Sequence, residues 1–257
     1  KKQNVAMEES DAFPMMPERI LAELRQVLPR DAIITTDVGW NKNGVGQQFP
    51  IYEPGSIQIP GGYATMGFGS PAAIGAKIAC PDRIVVALIG GGGFGQNPAA
   101  LATAFHENLA VVWVIMNNNA FGTIAGLEKA HYGTTYGTVF EKDGKSTSPD
   151  YAAIARAYGV KGVKIESAAQ FKPALEQAIK ANKPVVIDVE FTLEGPWDFT
   201  DGPTDKEMTD TLVAPESCDD FSVFPISTVA MQRTFGETEA TAYLVLNEVA
   251  LRQLGIS

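Results

Sequence analysis

Residues 83–122 read RIVVALIGGGGFGQNPAALATAFHENLAVVWVIMNNNAFG. Arg83 to Ile89 is read as a strand ending in Gly90, Gly91, Gly92 and Gly93, and Val111 to Met116 as a second strand ending in Asn117, Asn118 and Asn119. Neither run alternates with polar residues, the pattern of strands in a parallel sheet covered on both faces. Between them the spacing predicts a helix from about Pro98 to Asn108 that buries Leu101, Ala104, Phe105 and Leu109. Strand, helix and strand in that order make a crossover, which returns the glycines and the asparagines to the same edge of one sheet.

The alternation continues in both directions. Upstream, Ile20, Leu21, Leu24, Val27 and Leu28 recur at helical spacing before Pro29, and Ala32 to Thr36 reads as a short buried strand opening into Asp37, Val38 and Gly39. Trp40 to Gly62 is rich in Gly, Pro, Gln and Asn and reads as a loop. Ser70-Pro71 begins a small-residue helix through Ala79, with the proline suited to a first turn. Downstream, Tyr151, Ile154, Ala155 and Tyr158 mark a helix, and Val160 to Ile165 a strand. Ser167 and Gln170 have the spacing of a capping box, opening a helix with Phe171, Leu175, Ala178 and Ile179 inward; Pro184 to Val189 is the last strand. The expectation is an α/β fold, a doubly wound, mostly parallel sheet with helices on both faces. Residues 1–14 read as an N-terminal arm and 15–192 as this domain. Residues 193–257, with a helix expected over Glu237–Leu254, read as an extension that either wraps a partner or packs locally.

Composition narrows the functional classes. A net charge of −10 argues against nucleic acid or an anionic membrane surface as the main partner. Two cysteines, Cys80 and Cys218, cannot build a disulfide framework and fit a reducing cytoplasm, the compartment expected here. With only His106 and His131, no His/Cys metal cluster is available, and no apolar run is long enough to span a bilayer. His106 reads as a surface residue, and His131, beside Tyr132, either faces substrate or solvent.

Glycines at a strand end let backbone N–H groups approach phosphate oxygens, and a following helix adds its dipole. Gly90, Gly92 and Gly95 satisfy the dinucleotide pattern, but that reading needs an acidic residue at the end of the second strand, where this chain has three asparagines. The order of blocks instead resembles the thiamine-diphosphate (ThDP) enzymes, and within them the acetolactate-synthase group. The blocks are Thr36-Asp-Val-Gly39, Gly62-Tyr-Ala-Thr-Met-Gly-Phe-Gly-Ser-Pro-Ala-Ala-Ile-Gly-Ala-Lys77, the glycine run, Ala100-Leu-Ala-Thr-Ala104 and Asn117-Asn118.

That resemblance implies ThDP and Mg²⁺ as cofactors. Val38, Gly39, Trp40 and Asn41 should meet the diphosphate, and Met66 should support the bent cofactor between its rings. Gly90, Gly91, Gly92 and Gly93 should hold phosphate and metal. Asn118 should offer its side-chain oxygen to the metal and Ala120 its carbonyl, with Phe121 and Gly122 beginning a segment that closes over the cofactor. There are two departures. Gly91 stands where the family has a metal-binding Asp, and Trp40-Asn41 where acetolactate synthases have Gln-His; Asp37, on another strand end, is not read as a substitute. The family's activating glutamate belongs to a pyrimidine-binding domain, for which residues 1–14 are too short. No catalytic residue is therefore assigned here, and a partner subunit is expected to supply that glutamate, in a hetero-oligomer with two copies of each chain. The implied activity is decarboxylation of a small 2-oxo acid or an acyloin-type carboligation or cleavage. The alternatives are a non-catalytic structural or regulatory subunit, or a Rossmann-type nucleotide-binding protein.

Overall fold

The continuous apolar runs become the centre of a single sheet in the computed structural model, which describes residues 6–192. The first half of the domain contains Pro17–Val27 (α1), Ile33–Thr36 (β1), Trp40–Gln48 (α2), Ile57–Gln58 (β2), Gly69–Ala79 (α3) and Val85–Gly90 (β3). There follow Gly91–Gln96 (α4), Ala100–His106 (α5), Val111–Asn117 (β4) and Gly122–Tyr132 (α6). A small hairpin, Glu141–Lys142 (β5) and Lys145–Ser146 (β6), precedes Tyr151–Ala157 (α7), Lys161–Ile165 (β7), Ala168–Ala181 (α8) and Val185–Glu190 (β8). The six-stranded sheet has the order β2-β1-β3-β4-β8-β7, and every pairing in it is parallel. The expected doubly wound α/β architecture is what forms.

Because side chains alternate across a strand, β3 and β4 feed two cores. Val86, Leu88, Val112 and Val114 pack with Leu24 of α1 and with Phe171 and Leu175 of α8. Val85, Ala87, Ile89, Val111, Trp113 and Ile115 pack on the other face with Ala73 of α3, Leu101 of α5 and Tyr151 of α7. Both strands are buried along nearly their whole length, which explains why neither carries polar alternation.

The winding also locates a ligand site. From β1 the chain passes to β2 on one side, then returns past β1 to β3 on the other. Connections that diverge in this way leave a crevice at the carboxyl ends of the two strands, here just after Thr36 and Gly90.

Several expectations are corrected. The stretch read as a loop from Trp40 begins with helix α2, which has no amphipathic stripe and depends on tertiary contact. Its Trp40 ring folds back over Gly44, where a Cβ would overlap it, and Val45 is fully buried. The glycine run forms the helix α4 itself. Phe105 is 47% exposed rather than buried, lying against Gly159. The capping box does not close: Ser167 makes no side-chain cap bond, and Gln170 accepts instead from the Glu166 N–H at 2.9 Å. The cap predicted nowhere in the sequence is Asp150, whose carboxylate accepts from Ala153 N–H at 2.7 Å to start α7. Residues 193–257, including the helix expected at Glu237–Leu254, lie outside the described residues, as does Cys218. Among the described residues no helix is long and apolar enough to cross a membrane.

Candidate functional site

Asp37 organises the crevice. It is fully buried at the end of β1, and its carboxylate accepts from Val38 N–H (2.9 Å), Gly67 N–H (3.0 Å) and Gly69 N–H (2.9 Å). One side chain thus fixes the turn after β1 and the entry into α3. A Cβ on Gly93 would overlap this carboxylate, so Gly93 lets α4 start directly against it. Its oxygens are turned toward backbone donors.

Each of the other three glycines also clears a particular neighbour. A Cβ on Gly90 would stand 3.3 Å from Asn41 Nδ2, one on Gly92 2.7 Å from the Phe121 ring, and one on Gly91 would overlap the Tyr151 hydroxyl. Gly39, with φ +101°, adopts a backbone that side-chain-bearing residues rarely reach, and so turns β1 into α2.

The three asparagines after β4 divide their work. Asn117 is buried, and its Oδ1 accepts from Asn119 N–H (3.1 Å) and from Ser148 Oγ (3.0 Å). Asn119 takes a left-handed φ of +56°, a conformation asparagine tolerates, and its Oδ1 accepts from Ser146 Oγ (2.8 Å). Backbone bonds from Phe140 N–H to Asn119 O (2.7 Å) and from Phe121 N–H to Thr138 O (2.8 Å) clamp this turn under the β5–β6 segment. Phe121 and Phe140 pack edge to face at 4.8 Å. Asn118 lines the crevice.

One cavity there is lined by all the residues that the resemblance assigned to the cofactor: Val38, Gly39, Trp40 and Asn41 from the β1 end, and Gly90, Gly91, Gly92 and Gly93 from the β3 end. Met66 from the α3 entry also lines it, with Asn118, Ala120, Phe121 and Gly122 from the β4 end. Four lining residues were not foreseen: Met116, Thr123, Ile124 and Phe191. His131 is exposed and does not line it. Three helices, α2, α4 and α6, begin at this cavity, and no lining residue is acidic or basic. First-turn N–H groups lack intrahelical partners and carry the positive end of the helix dipole, so the arrangement suits an anion. Two lining polar atoms, Asn41 Oδ1 and Thr123 Oγ1, are buried without a hydrogen-bond partner. A hydroxyl in the first turn of a helix after the asparagine run was the available sequence signal for Thr123.

Beneath the cavity, Asp188 of β8 is 2% exposed and accepts from Tyr151 N–H at 3.1 Å. Burial pushes its carboxyl up to about 6, against opposing help from the Tyr151 N–H. A carboxyl raised in this way contributes stability that is present below the unfolded value of 3.8 and lost as pH rises through about 6. Asn at this position keeps an acceptor for Tyr151 without the charge. Relative to the parent, Asp188→Asn should therefore gain roughly 2–3 kcal/mol on going from pH 4 to pH 8. Urea unfolding at the two pH values measures this; a difference between variant and parent that does not change with pH contradicts it.

Comparison with known proteins places this geometry. The family model for the thiamine pyrophosphate enzyme C-terminal TPP binding domain matches residues 37–189. A probable acetolactate synthase large subunit of Methanocaldococcus jannaschii is 36% identical over 195 residues, covering 74% of this chain and 32% of that protein. A putative thiamine pyrophosphate-containing protein of Bacillus subtilis is 32% identical, covering 71% of this chain and 31% of its own length. Among solved structures, a thiamine diphosphate-dependent 4-hydroxybenzoylformate decarboxylase of Rhodococcus jostii RHA1 superposes with a TM-score of 0.60 at 31% identity. That match covers 68% of this chain and 32% of the other. The chain thus spans about a third of the length of the curated relatives it matches.

Proposed function

This chain belongs to the thiamine pyrophosphate enzyme family through its TPP-binding domain, and from that premise we propose that its cavity holds the diphosphate of ThDP. The observation that carries this is the convergence of three helix starts on one cavity without acidic lining. The residues fit the group: glycines at the α4 start allow close backbone approach, and the unpartnered Thr123 hydroxyl can donate to a phosphate oxygen. Met66, whose Sδ lies 3.9 Å from a Cβ placed on Gly92, is the apolar support for the cofactor rings. Mg²⁺, if bound beside the diphosphate, would be held from this chain by the Asn118 side-chain oxygen and the Ala120 carbonyl, both residues of the cavity lining. Bound ThDP supplies the electron sink for breaking or making a bond beside a carbonyl carbon. The protein's part here is to position it, neutralise phosphate charge and shield it with Phe121.

The activity of the whole assembly follows from the same reading. The substrate is a small 2-oxo acid or acyloin, decarboxylated, joined or cleaved. Among the described residues no lining residue is a titratable acid or base, and on this reading the activating glutamate belongs to a pyrimidine-binding domain, as the family resemblance implies. Residues 15–192 form the cofactor-binding domain, and that second domain is carried by a partner subunit, with two copies of each chain. Gly91 favours one competing reading, a non-catalytic subunit with a degenerate site.

Trp40 lines the cavity and reports on its contents. Titrating ThDP into the full chain with its co-purifying subunits should quench tryptophan fluorescence, and Trp40→Phe should abolish most of that change. Thr123→Val should weaken ThDP binding about tenfold, as loss of a hydrogen bond to a charged group does, with stability unchanged or slightly raised. Absence of any ThDP-dependent signal supports the non-catalytic reading.

A further inference from the structure

The space beside Gly91 is filled by Tyr151. The tyrosine is 2% exposed, its ring packs edge to face against Phe94 at 5.7 Å, and its N–H is anchored by Asp188. Its hydroxyl lies 3.5 Å from Ser148 Oγ, which in turn donates to Asn117 at the base of the asparagine turn. A Cβ at position 91 would overlap that hydroxyl and come within 2.7 Å of the ring carbon Cζ. With the tyrosine held on three sides, a side chain at 91 would fit only by displacing it.

This matters for the metal. Mg²⁺ sites are ordinarily completed by one or two carboxylates. The cavity lining offers neutral oxygens, among them those of Asn118, Ala120 and Asn41, and no carboxylate, while the nearby Asp37 carboxylate is committed to three backbone N–H groups. What the cavity has in place of a cation is the starts of α2 and α6, each longer than two turns. The unpartnered Thr123 Oγ1 stands at the start of α6 and can donate to a phosphate oxygen.

Resting on the ThDP reading above, we propose that this chain captures the cofactor diphosphate without dependence on a divalent metal, and that Tyr151 is the positioning residue that closes the metal-ligand position at Gly91. The position opposite the diphosphate carries no carboxylate to repel it when the metal is absent. Metal entering on the diphosphate would meet no protein carboxylate in the lining and would add little to affinity.

The test is calorimetric titration of ThDP into the full chain with its co-purifying subunits, in EDTA and in millimolar MgCl₂. The proposal expects dissociation constants that agree within about fivefold. Tightening by more than that with Mg²⁺ overturns it while leaving the ThDP reading intact. No binding in either buffer overturns both. The double variant Gly91→Asp/Tyr151→Ala opens the position and supplies a carboxylate, and should acquire a metal dependence of at least tenfold. If that variant folds and binds ThDP with the parent's indifference to Mg²⁺, Tyr151 is not what keeps a ligand out. If it does not fold, the ratio measured on the parent decides alone.

Discussion

Asp37→Ala should lower the unfolding free energy by about 3–5 kcal/mol and remove ThDP binding. The carboxylate serves three backbone donors, Val38, Gly67 and Gly69, in a fully buried position. Alanine leaves all three without their acceptor, and each buried orphan costs about 1–3 kcal/mol unless water enters. The functional loss has the same origin. Val38 begins the turn that carries Gly39 to Asn41, and Gly67 follows Met66, so one side chain aligns two walls of the cavity. Asp37→Asn keeps one acceptor oxygen and should lose about half as much. Chemical denaturation alongside the Trp40 titration separates the two effects; a loss under 1 kcal/mol for the alanine variant contradicts the role assigned to Asp37.

Gly91→Ala should also destabilise, by about 2 kcal/mol, although helix propensity alone favours alanine over glycine by about 1 kcal/mol. Steric overlap wins because Tyr151 has nowhere to retreat: Phe94 lies against its ring and Asp188 holds its backbone. Tyr151→Ala alone should cost about 3–5 kcal/mol, the usual range for a buried aromatic truncation. In that background the added methyl at 91 enters free space and the overlap disappears. The double variant should therefore be more stable than the sum of the single effects by about 2 kcal/mol, a coupling measured by a double-mutant cycle. Strict additivity would show that the two positions do not compete for the same volume.

The central sheet was legible because its strands are buried on both faces and therefore read as unbroken apolar runs, as Val85–Ile89 and Val111–Met116 do. The site was legible for a related reason: glycines and asparagines at strand ends have no role in a core, and the crossover returns them to one edge. The glycines and Asn118 were placed there by spacing, the rest of the thirteen by the family resemblance, and all thirteen line one cavity.

What escaped notice depends on contacts across the chain. Helix α2 lacks an apolar stripe and forms around Trp40 folding onto Gly44. Asp37 looks like any acid after a strand, and its three donors lie at the turn itself and near α3. Tyr151 reads as a core aromatic of a helix, and only its position behind Gly91 gives it a bearing on the metal. Asp188 sits inside an apolar strand, and its burial becomes consequential once Tyr151 N–H is placed on it.

Hydrogen–deuterium exchange of the full chain, with and without saturating ThDP, addresses the cavity assignment residue by residue. The cavity reading predicts slowed exchange at the α2 start (residues 38–41), the glycine helix (90–93) and the asparagine turn with the start of α6 (118–123). The edge strand β7, three strands from β3 in the sheet, should not change. Saturation by ThDP with no slowing at these three segments, or with protection confined elsewhere, would contradict the claim that this cavity holds the diphosphate.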